Sequence, residues 1–244
     1  AWTVAAGLAA AAALVPLASL LGFLVARGAA ALAAPGTLRA LAPALLGSAM
    51  LVGIGCGAGV PIGLAAGLFL HERRGTRAAA LLRYLCDVLL GVPAVLLGVA
   101  AWLLLVRPAG HFSAWAGGAA LAAVVVPLVA RTADDVLALV PRALGEAALA
   151  LGYPRWRATA AVVLRAALPG VVTGVLAAAA RVAGETAPLL FTALGNQYWS
   201  ARPGGPVAAL PLQIFADAGS ADPAVRGRAY AAALVLVAGV AVFG

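Results

Sequence analysis

Long uninterrupted apolar stretches are the feature that most limits what this 244-residue chain can fold into. Six of them have membrane length or come close to it, and 65% of all residues are hydrophobic. A bilayer is crossed by about 20 apolar residues in a helix. In lipid, every backbone polar group must be satisfied internally, which leaves only helices and closed barrels. Because the stretches are continuous and do not alternate, the sequence predicts an all-α membrane protein.

The stretches define six predicted transmembrane helices, separated by charged or Pro- and Gly-rich connections. These spans are 1–26, 44–70, 85–106, 112–130, 168–194 and 229–244. We divide the chain into 1–43, a first helix with an external connection, and 44–244, one domain with a cytoplasmic loop at about 131–168. The chain starts without Met and ends inside an apolar stretch, so we expect further residues at both ends.

The net charge of +8 comes from sixteen basic residues, all of them arginine. They stand singly or in short groups between apolar stretches, which is typical of topology determinants and not of a nucleic-acid-binding face. The connections at 71–83 and 131–165 hold nine arginines, and those on the other side hold six. By the positive-inside rule both termini are expected in the cytoplasm. Without lysine there is no Walker A motif, so another subunit must bind any ATP.

Arg181 and Glu185 stand in the middle of the 168–194 stretch, where each charge costs roughly 2.5–3.5 kcal/mol on insertion scales. Such residues usually face a bundle interior or an aqueous path. Their four-residue spacing places them on one helix face, and an arginine fork can bind an oxyanion. The pair is either part of an anion path or a structural ion pair between helices, and at this point both interpretations stay open.

The second span carries Gly55, Gly59, Gly63 and Gly67, each four residues apart. This spacing places them on one face, where another helix can approach closely. Residues 53–58 also fit a loose GxGxxA pattern, but no predicted strand precedes it, so we reject a nucleotide site.

Three further polar residues carry smaller predictions. Asp87 follows Arg83 by four residues, which predicts an i,i+4 ion pair or a carboxylate at the start of a helix. His71 and His111 lie in predicted loops without metal-spaced partners, so we expect both to be solvated.

Residues 146–157 combine a short helix with a turn and an aromatic residue. Glu-Ala-Ala at 146–148 favours a helix, and Gly152 with Pro154 favours a turn after it. Trp156 lies between two arginines, a composition suited to a protein interface. A helix lying on the lipid surface explains the same residues, and the composition alone does not decide between them.

This segment resembles the EAA loop of the permease subunits of bacterial ABC importers. In that family, Glu-Ala-Ala, three residues and Gly belong to coupling helices that dock into a groove of the ATPase subunit. Residues 162–164 fit the continuation of the pattern, and Arg165 replaces a frequent proline. The resemblance implies that the loop contacts an ATPase subunit through Glu146, Ala147, Ala148, Gly152, Arg155 and Trp156.

Two more segments resemble the PstA-type permeases of phosphate importers: DVLLGVPA at 87–94 and RVAGETAPLLFTALGNQYW at 181–199. The resemblance covers about 44–215 and implies the six-span, type I ABC importer permease (MetI-like) fold in the bacterial cytoplasmic (inner) membrane. In that family, an arginine at the position of Arg181 is needed for phosphate movement. Glu185 would hold this arginine in place, and we assign Thr186 to the same translocation path.

The resemblance also implies partners. They are a second related permease subunit, two ATPase subunits, an extracytoplasmic phosphate-binding protein and membrane lipid, with no nucleic acid. We expect that the chain is not an enzyme and that it holds no cofactor, since the ATPase subunit would bind ATP and Mg.

The sequence disfavours three rival functions. A sister permease for sulfate or molybdate is disfavoured by the Gly-Glu-Thr-Ala-Pro run at 184–188. A self-contained anion channel or secondary transporter is disfavoured by the Glu-Ala-Ala loop. A membrane-embedded enzyme is disfavoured because no His, Ser and carboxylate constellation stands at a membrane face.

Overall fold

The computed structural model describes residues 2–194 and 196–243, and every regular element in that part of the chain is a helix. The predicted all-α fold is confirmed. The helices, in order, are α1 (Trp2–Leu32), α2 (Thr37–Glu72), α3 (Arg77–Gly91), α4 (Ala94–Ala109), α5 (Ala114–Ala138), α6 (Arg142–Ala150), α7 (Arg155–Ala183), α8 (Ala187–Thr192), α9 (Leu210–Ala218) and α10 (Pro223–Phe243). Helices α4 and α7 each include one π-helical turn, at Trp102–Val106 and Thr159–Val163.

Helices α2 and α5 form the centre of the fold and meet along the glycine stripe of α2. A Cβ atom added to Gly59 would lie 2.7 Å from the Cβ of Val125, so no side chain fits between the helices there. The same register continues along the stripe, in the pairs Gly55–Leu121, Gly59–Val125, Gly63–Val129 and Gly67–Ala133. The predicted close helix approach is confirmed, and the rising register shows that α2 and α5 run parallel.

Because α2 and α5 are parallel, the chain must return across the bundle between them. Helix α5 begins at the level of Leu51, where a Cβ on Gly117 would lie 2.6 Å from Cδ2 of Leu51. The distance from that level to Gly67 is roughly 24 Å at 1.5 Å per residue. Helices α3 and α4 cover this return, with a bend of 100° between them. They form one broken span.

The bend corrects the predicted straight span at 85–106. Pro93 has no N–H to donate to a preceding turn, and a proline disfavours helical geometry in the residue before it. Val92 is accordingly extended, with φ −71° and ψ 129°. With this broken span counted once, the chain crosses the bundle six times, as predicted.

Helix α1 packs antiparallel to α10. The rings of Phe23 and Tyr230 meet edge to face at 5.6 Å between centroids. The direction follows from two close approaches: an added Cβ on Gly28 would be 2.8 Å from the Cβ of Leu234, and one on Gly227 would be 3.7 Å from the Cβ of Ala31, so the numbering falls along α10 as it rises along α1. The start of α1 and the end of α10 therefore lie at the same end of the bundle.

Several helices are longer than the predicted spans. Residues 37–43, predicted as part of an external connection, form the first two turns of α2. Helix α5 continues to Ala138, so residues 131–138 belong to a span and not to the cytoplasmic loop. Ala133 and Leu137 are buried, which shows that the apolar face of α5 extends past Arg131. The segment between the spans α5 and α7 therefore shortens to about 139–154. The division of the chain at residue 43 stays a prediction.

Candidate substrate path and coupling segment

The predicted fifth span is broken at the charge pair. Arg181 lies in the last turn of α7, which ends at Ala183, and the chain continues through residues 184–186 into α8. The N–H groups of the two residues after Ala183 still donate to carbonyl oxygens of the last turn, at 3.2 Å each. Pro188 is at the start of α8, where its missing N–H removes no helical hydrogen bond. The single helix predicted for 168–194 is therefore wrong, because its two charges lie at a helix end and in the following break.

Arg181 and Glu185 remain close despite the break. The Nε atom of Arg181 lies 3.9 Å from Oε1 of Glu185. The arginine side chain is 56% exposed and the glutamate side chain 21%. Within the described residues, the side chain of Arg181 has no other ion pair and donates no hydrogen bond. Most of its donor groups are available, and they face outward from this subunit. Thr186, which precedes α8, is half-buried beside the pair.

Arg181 stands at the end of an exposed stripe along α7. The opposite face packs into the core through Ala178 and Val182. The exposed residues recur at three- and four-residue intervals: Pro169, Val172, Thr173, Leu176, Ala177 and Arg181. Most of this stripe is apolar, as expected for a helix in a membrane. A guanidinium on such a face requires water or a second protein beside it, because lipid would leave the charge unsatisfied.

The level of Arg181 in the bundle follows from the packing of α7 on α5. Arg181 lies sixteen residues beyond Arg165, roughly 24 Å along the helix. Gly170 and Gly174 of α7 lie against Val136 and Thr132 of α5, so Arg181 is level with about residue 125, near the middle of α5. The break is supported by α4, because a Cβ on Gly98 would lie 2.6 Å from the Cα of Pro188. The broken third span thus packs directly against the segment that follows the charge pair.

The predicted coupling segment forms a short helix and a glycine turn. Glu146 and Ala147 are exposed on α6, whereas Ala148 is buried. Gly152 has φ +84°, a left-handed conformation that favours glycine. The N–H of Tyr153 donates to the carbonyl of Ala148 at 3.2 Å, which closes the helix end in a Schellman-type turn. The predicted short helix and turn are confirmed.

Trp156 projects outward from the first turn of α7. Its side chain is 67% exposed. Nearby, the guanidinium of Arg157 lies 5.2 Å from the centroid of the Tyr153 ring, a cation–π contact that fixes the turn to the helix. Leu149 and Leu151 are also exposed. The segment therefore presents an apolar patch with charged flanks at the end of the bundle where α5 ends.

The sequence analysis missed a buried carboxylate near this same end. Asp134 on α5 is only 1% exposed, with Nη2 of Arg74 at 2.7 Å from Oδ1 and Nη2 of Arg83 at 2.5 Å from Oδ2. Arg131 pairs with Asp87, with 3.0 Å between Nε and Oδ1. The predicted pair of Arg83 with Asp87 is therefore wrong, and Asp87 lies well inside α3 and not at its start. Arg83 and Asp87 both face α5 from one side of α3, and each pairs with an oppositely charged residue of α5.

The prediction that both histidines are solvated loop residues holds for one of them. His111 is exposed in the turn before α5, as predicted. His71 lies in the last turn of α2 and is half-buried, so its predicted loop position is wrong.

The segment after α8 lines a cavity on the side of the bundle opposite the coupling segment. The side-chain oxygen of Asn196 accepts a hydrogen bond from the N–H of Tyr198 at 2.8 Å, and its NH2 group donates to the carbonyl of Pro206 at 3.1 Å. Tyr198 and Trp199 are exposed. The cavity has a volume of about 580 Å³ and is also lined by Arg39.

The chain is similar to one family and to several known proteins. The family described as binding-protein-dependent transport system inner membrane component matches residues 59–244. The phosphate transport system permease protein PstA of Xylella fastidiosa (strain Temecula1 / ATCC 700964) is 45% identical over 198 residues, which cover 80% of this chain and 69% of that protein. PstA of Haemophilus influenzae (strain ATCC 51907 / DSM 11121 / KW20 / Rd) is 45% identical over 204 residues, covering 83% and 72%. PstA 1 of Mycobacterium tuberculosis (strain CDC 1551 / Oshkosh) is 34% identical over 240 residues, covering 92% and 79%.

The fold also matches solved structures. A chain of the inward-facing MetNI methionine ABC transporter superposes with a TM-score of 0.69 at 20% identity, covering 86% of this chain and 94% of that chain. A second crystal form of MetNI gives a TM-score of 0.62 at 19% identity, covering 86% and 99%. The predicted MetI-like fold is confirmed. The family match and the relatives at 45% identity define the protein as a multi-pass membrane permease subunit. The chain belongs to the binding-protein-dependent transport system inner membrane component family, among its PstA-type permeases.

Proposed function

We propose that this chain is the permease subunit of an ATP-driven, binding-protein-dependent importer of inorganic phosphate, and that it forms half of the translocation path. The observation that carries the proposal is Arg181, a guanidinium exposed at a helix break on an otherwise apolar membrane face. A guanidinium fork can bind two phosphate oxygens at once. The relatives at 45% identity are named phosphate transport permeases, which supports phosphate as the anion.

In this proposal Arg181, Glu185 and Thr186 line the path. The 3.9 Å separation of the two charged groups is long for a hydrogen-bonded pair, so the guanidinium keeps donors for a passing anion. Glu185 offsets part of the positive charge and keeps the site from binding phosphate too tightly to release it. Transport requires such moderate affinity, because an ion must leave each site that it enters.

A second, related permease subunit covers the exposed stripe of α7. The stripe is apolar over most of its length and has Arg181 at one end. A related surface on the partner would bury the apolar part and leave the charged end facing a shared aqueous path. This arrangement satisfies the charge without placing it in lipid.

The coupling segment faces the cytoplasm and docks on an ATPase subunit. Nine of the sixteen arginines lie in the connections at 71–83 and 131–165, which by the positive-inside rule supports a cytoplasmic position for this end and for both termini. Two ATPase subunits bind ATP and Mg, one of them contacting α6 and Trp156. An extracytoplasmic phosphate-binding protein delivers the ion to the opposite side.

The test is uptake of labelled phosphate, sulfate and molybdate in phosphate-starved cells that lack their own phosphate importer and express this chain with its second permease subunit, its ATPase and its binding protein. We expect phosphate uptake to return and to depend on the ATPase. Uptake of sulfate or molybdate in place of phosphate would identify a sister permease. Phosphate flux that persists without the ATPase would identify a channel or secondary transporter.

Removing the exposed indole of the coupling segment should weaken ATPase binding. An exposed aromatic anchor of an interface contributes about 2 kcal/mol or more, so we expect Trp156→Ala to lower the affinity roughly 30-fold. The measurement is retention of the ATPase subunit on the immobilised permease complex over a concentration series. Trp115→Ala is the matched control, because Trp115 is 58% exposed but lies at the start of α5, at the other end of the bundle. Equal retention in both variants would remove Trp156 from the interface.

A further inference from the structure

We propose that Asp134 is a positioning residue for transport, and that it clamps α3 and the α2–α3 turn to the end of α5 so that they move with the coupling segment. This inference rests on the proposed function for its transport readout. Asp134 is not part of the path: it is buried against Arg74 and Arg83, and it is level with about residue 172 of α7, roughly 14 Å along that helix from Arg181.

The clamp has two arms that reach Asp134 from different parts of the chain. Arg74, in the turn after α2, donates from Nε and Nη2 to Oδ1 at 3.2 and 2.7 Å, and from Nη2 to the backbone carbonyl of Asp134 at 3.1 Å. Arg83, on α3, donates from Nη2 to Oδ2 at 2.5 Å. Each carboxylate oxygen is therefore occupied by a different segment. Arg131 adds a third contact, at 3.9 Å from Oδ2, and links to α3 through Asp87.

Stability alone does not explain a carboxylate in this place. Asp134 is one turn before the end of α5, where the helix dipole disfavours negative charge. A buried ion pair can often be replaced by apolar residues without loss of stability. A buried ion pair can instead fix one arrangement of the helices. Here it fixes the position of α3 relative to α5.

The clamp connects the coupling segment with the path. Only three residues, 139–141, separate the end of α5 from α6. Helix α3 continues through the 100° bend into α4, and α4 packs on Pro188 of α8. Helix α8 directly follows the break that carries Glu185. A displacement of α6 is therefore passed through α5, Asp134 and α3–α4 to the charge pair.

The experiment uses the complete importer in proteoliposomes, with ATP hydrolysis and phosphate uptake measured in the same vesicles. We expect Asp134→Asn to keep assembly and ATP hydrolysis near the wild-type level while the phosphate transported per ATP falls about tenfold. Arg83→Gln should lower the same ratio by less, because Arg74 stays paired with the carboxylate, and the double variant should be no worse than Asp134→Asn, which already loses the pair with Arg83. Asp135→Asn is the control: Asp135 is the next residue, is exposed, and has no ion pair within the described residues.

A second readout does not depend on the transported ion. Spin labels at Ala80 on α3 and at Leu139 after α5, both exposed, report the distance across the clamp. Cys56 and Cys86 are replaced by serine in every variant, since both are free. We expect one narrow distance distribution with and without ATP in the wild type and in Asp135→Asn, and a broad one in Asp134→Asn.

The outcomes separate the two proposals. A fall of uptake and ATP hydrolysis by the same factor, or an unchanged ratio with a narrow distribution in Asp134→Asn, would overturn the clamp. A wild-type complex that transports no phosphate would overturn the proposed function, and the distance measurement would then decide on the clamp alone. If Asp134→Asn does not accumulate, Arg83→Gln replaces it in both measurements, since it leaves the carboxylate paired with Arg74.

Discussion

Arg181→Ala is expected to lower phosphate uptake about 100-fold, which corresponds to the loss of charge-assisted hydrogen bonds worth roughly 1.5–3 kcal/mol. The reason is that the donors of Arg181 face outward with only a 3.9 Å contact to Glu185, so phosphate would be their main partner. Arg181→Lys should be intermediate, because it keeps the charge but loses the planar fork that fits two phosphate oxygens. The measurement is the initial rate of labelled phosphate uptake at equal amounts of permease in the membrane.

The control for this prediction is Arg165→Ala. Arg165 is also exposed and also on α7, but it lies roughly 24 Å away, near the coupling segment. We expect its removal to leave uptake within about twofold, as for an exposed surface charge. If Arg181→Ala transports as well as Arg165→Ala, the charge pair is a structural link, and the path must be sought elsewhere on the subunit.

The sequence predicts those parts of the fold that local composition determines. Six crossings follow from apolar length, and the close contact of α2 with α5 follows from four glycines at helical spacing. The coupling turn at Gly152 follows from the need for a left-handed residue at a helix end. Each of these features depends on residues that are close in the chain. The local sequence pattern therefore predicts it without knowledge of the tertiary contacts.

The sequence fails where packing decides. The charge at Arg131 predicts the start of a loop, whereas burial of Ala133 and Leu137 against neighbouring helices extends α5 to Ala138. Had α5 been extended, Asp134 would have been recognised as a charge inside a span. The partners of Asp134 could not be found in this way, because Arg74 and Arg83 are 60 and 51 residues distant in the chain.

The candidate site was predicted in its residues but not in its geometry. Arg181, Glu185 and Thr186 lie together, but across a helix break instead of along one helix face. Pro188 gives the signal, since a proline ends or starts helices and here marks the start of α8. The residues on both sides of the break are apolar. Hydrophobicity alone does not distinguish one continuous helix from two consecutive helices.

Gly63→Leu is expected to disrupt the centre of the subunit and to cost about 3 kcal/mol of stability, at the upper end of the range for overpacked cores. A Cβ at this position would lie 2.8 Å from the Cβ of Val129 and 2.9 Å from the carbonyl oxygen of Val126. Neither atom can rotate away, so α2 and α5 must separate. The measurement is the temperature at which half of the detergent-solubilised protein is lost from its size-exclusion peak, and we expect it to fall by roughly 10 °C.

Gly57→Leu is the matched control for this packing prediction. Gly57 is on the same helix, six residues earlier, and no atom lies within 4 Å of the position that its Cβ would take. Leucine there improves helix propensity by up to about 1 kcal/mol without a clash, so its midpoint should equal or exceed that of the wild type. Equal losses in the two variants would mean that any large side chain on α2 is harmful, and that the register with Val125 and Val129 does not hold. A loss confined to Gly63→Leu ties the stability of the bundle to the parallel contact that also fixes the direction of the broken third span.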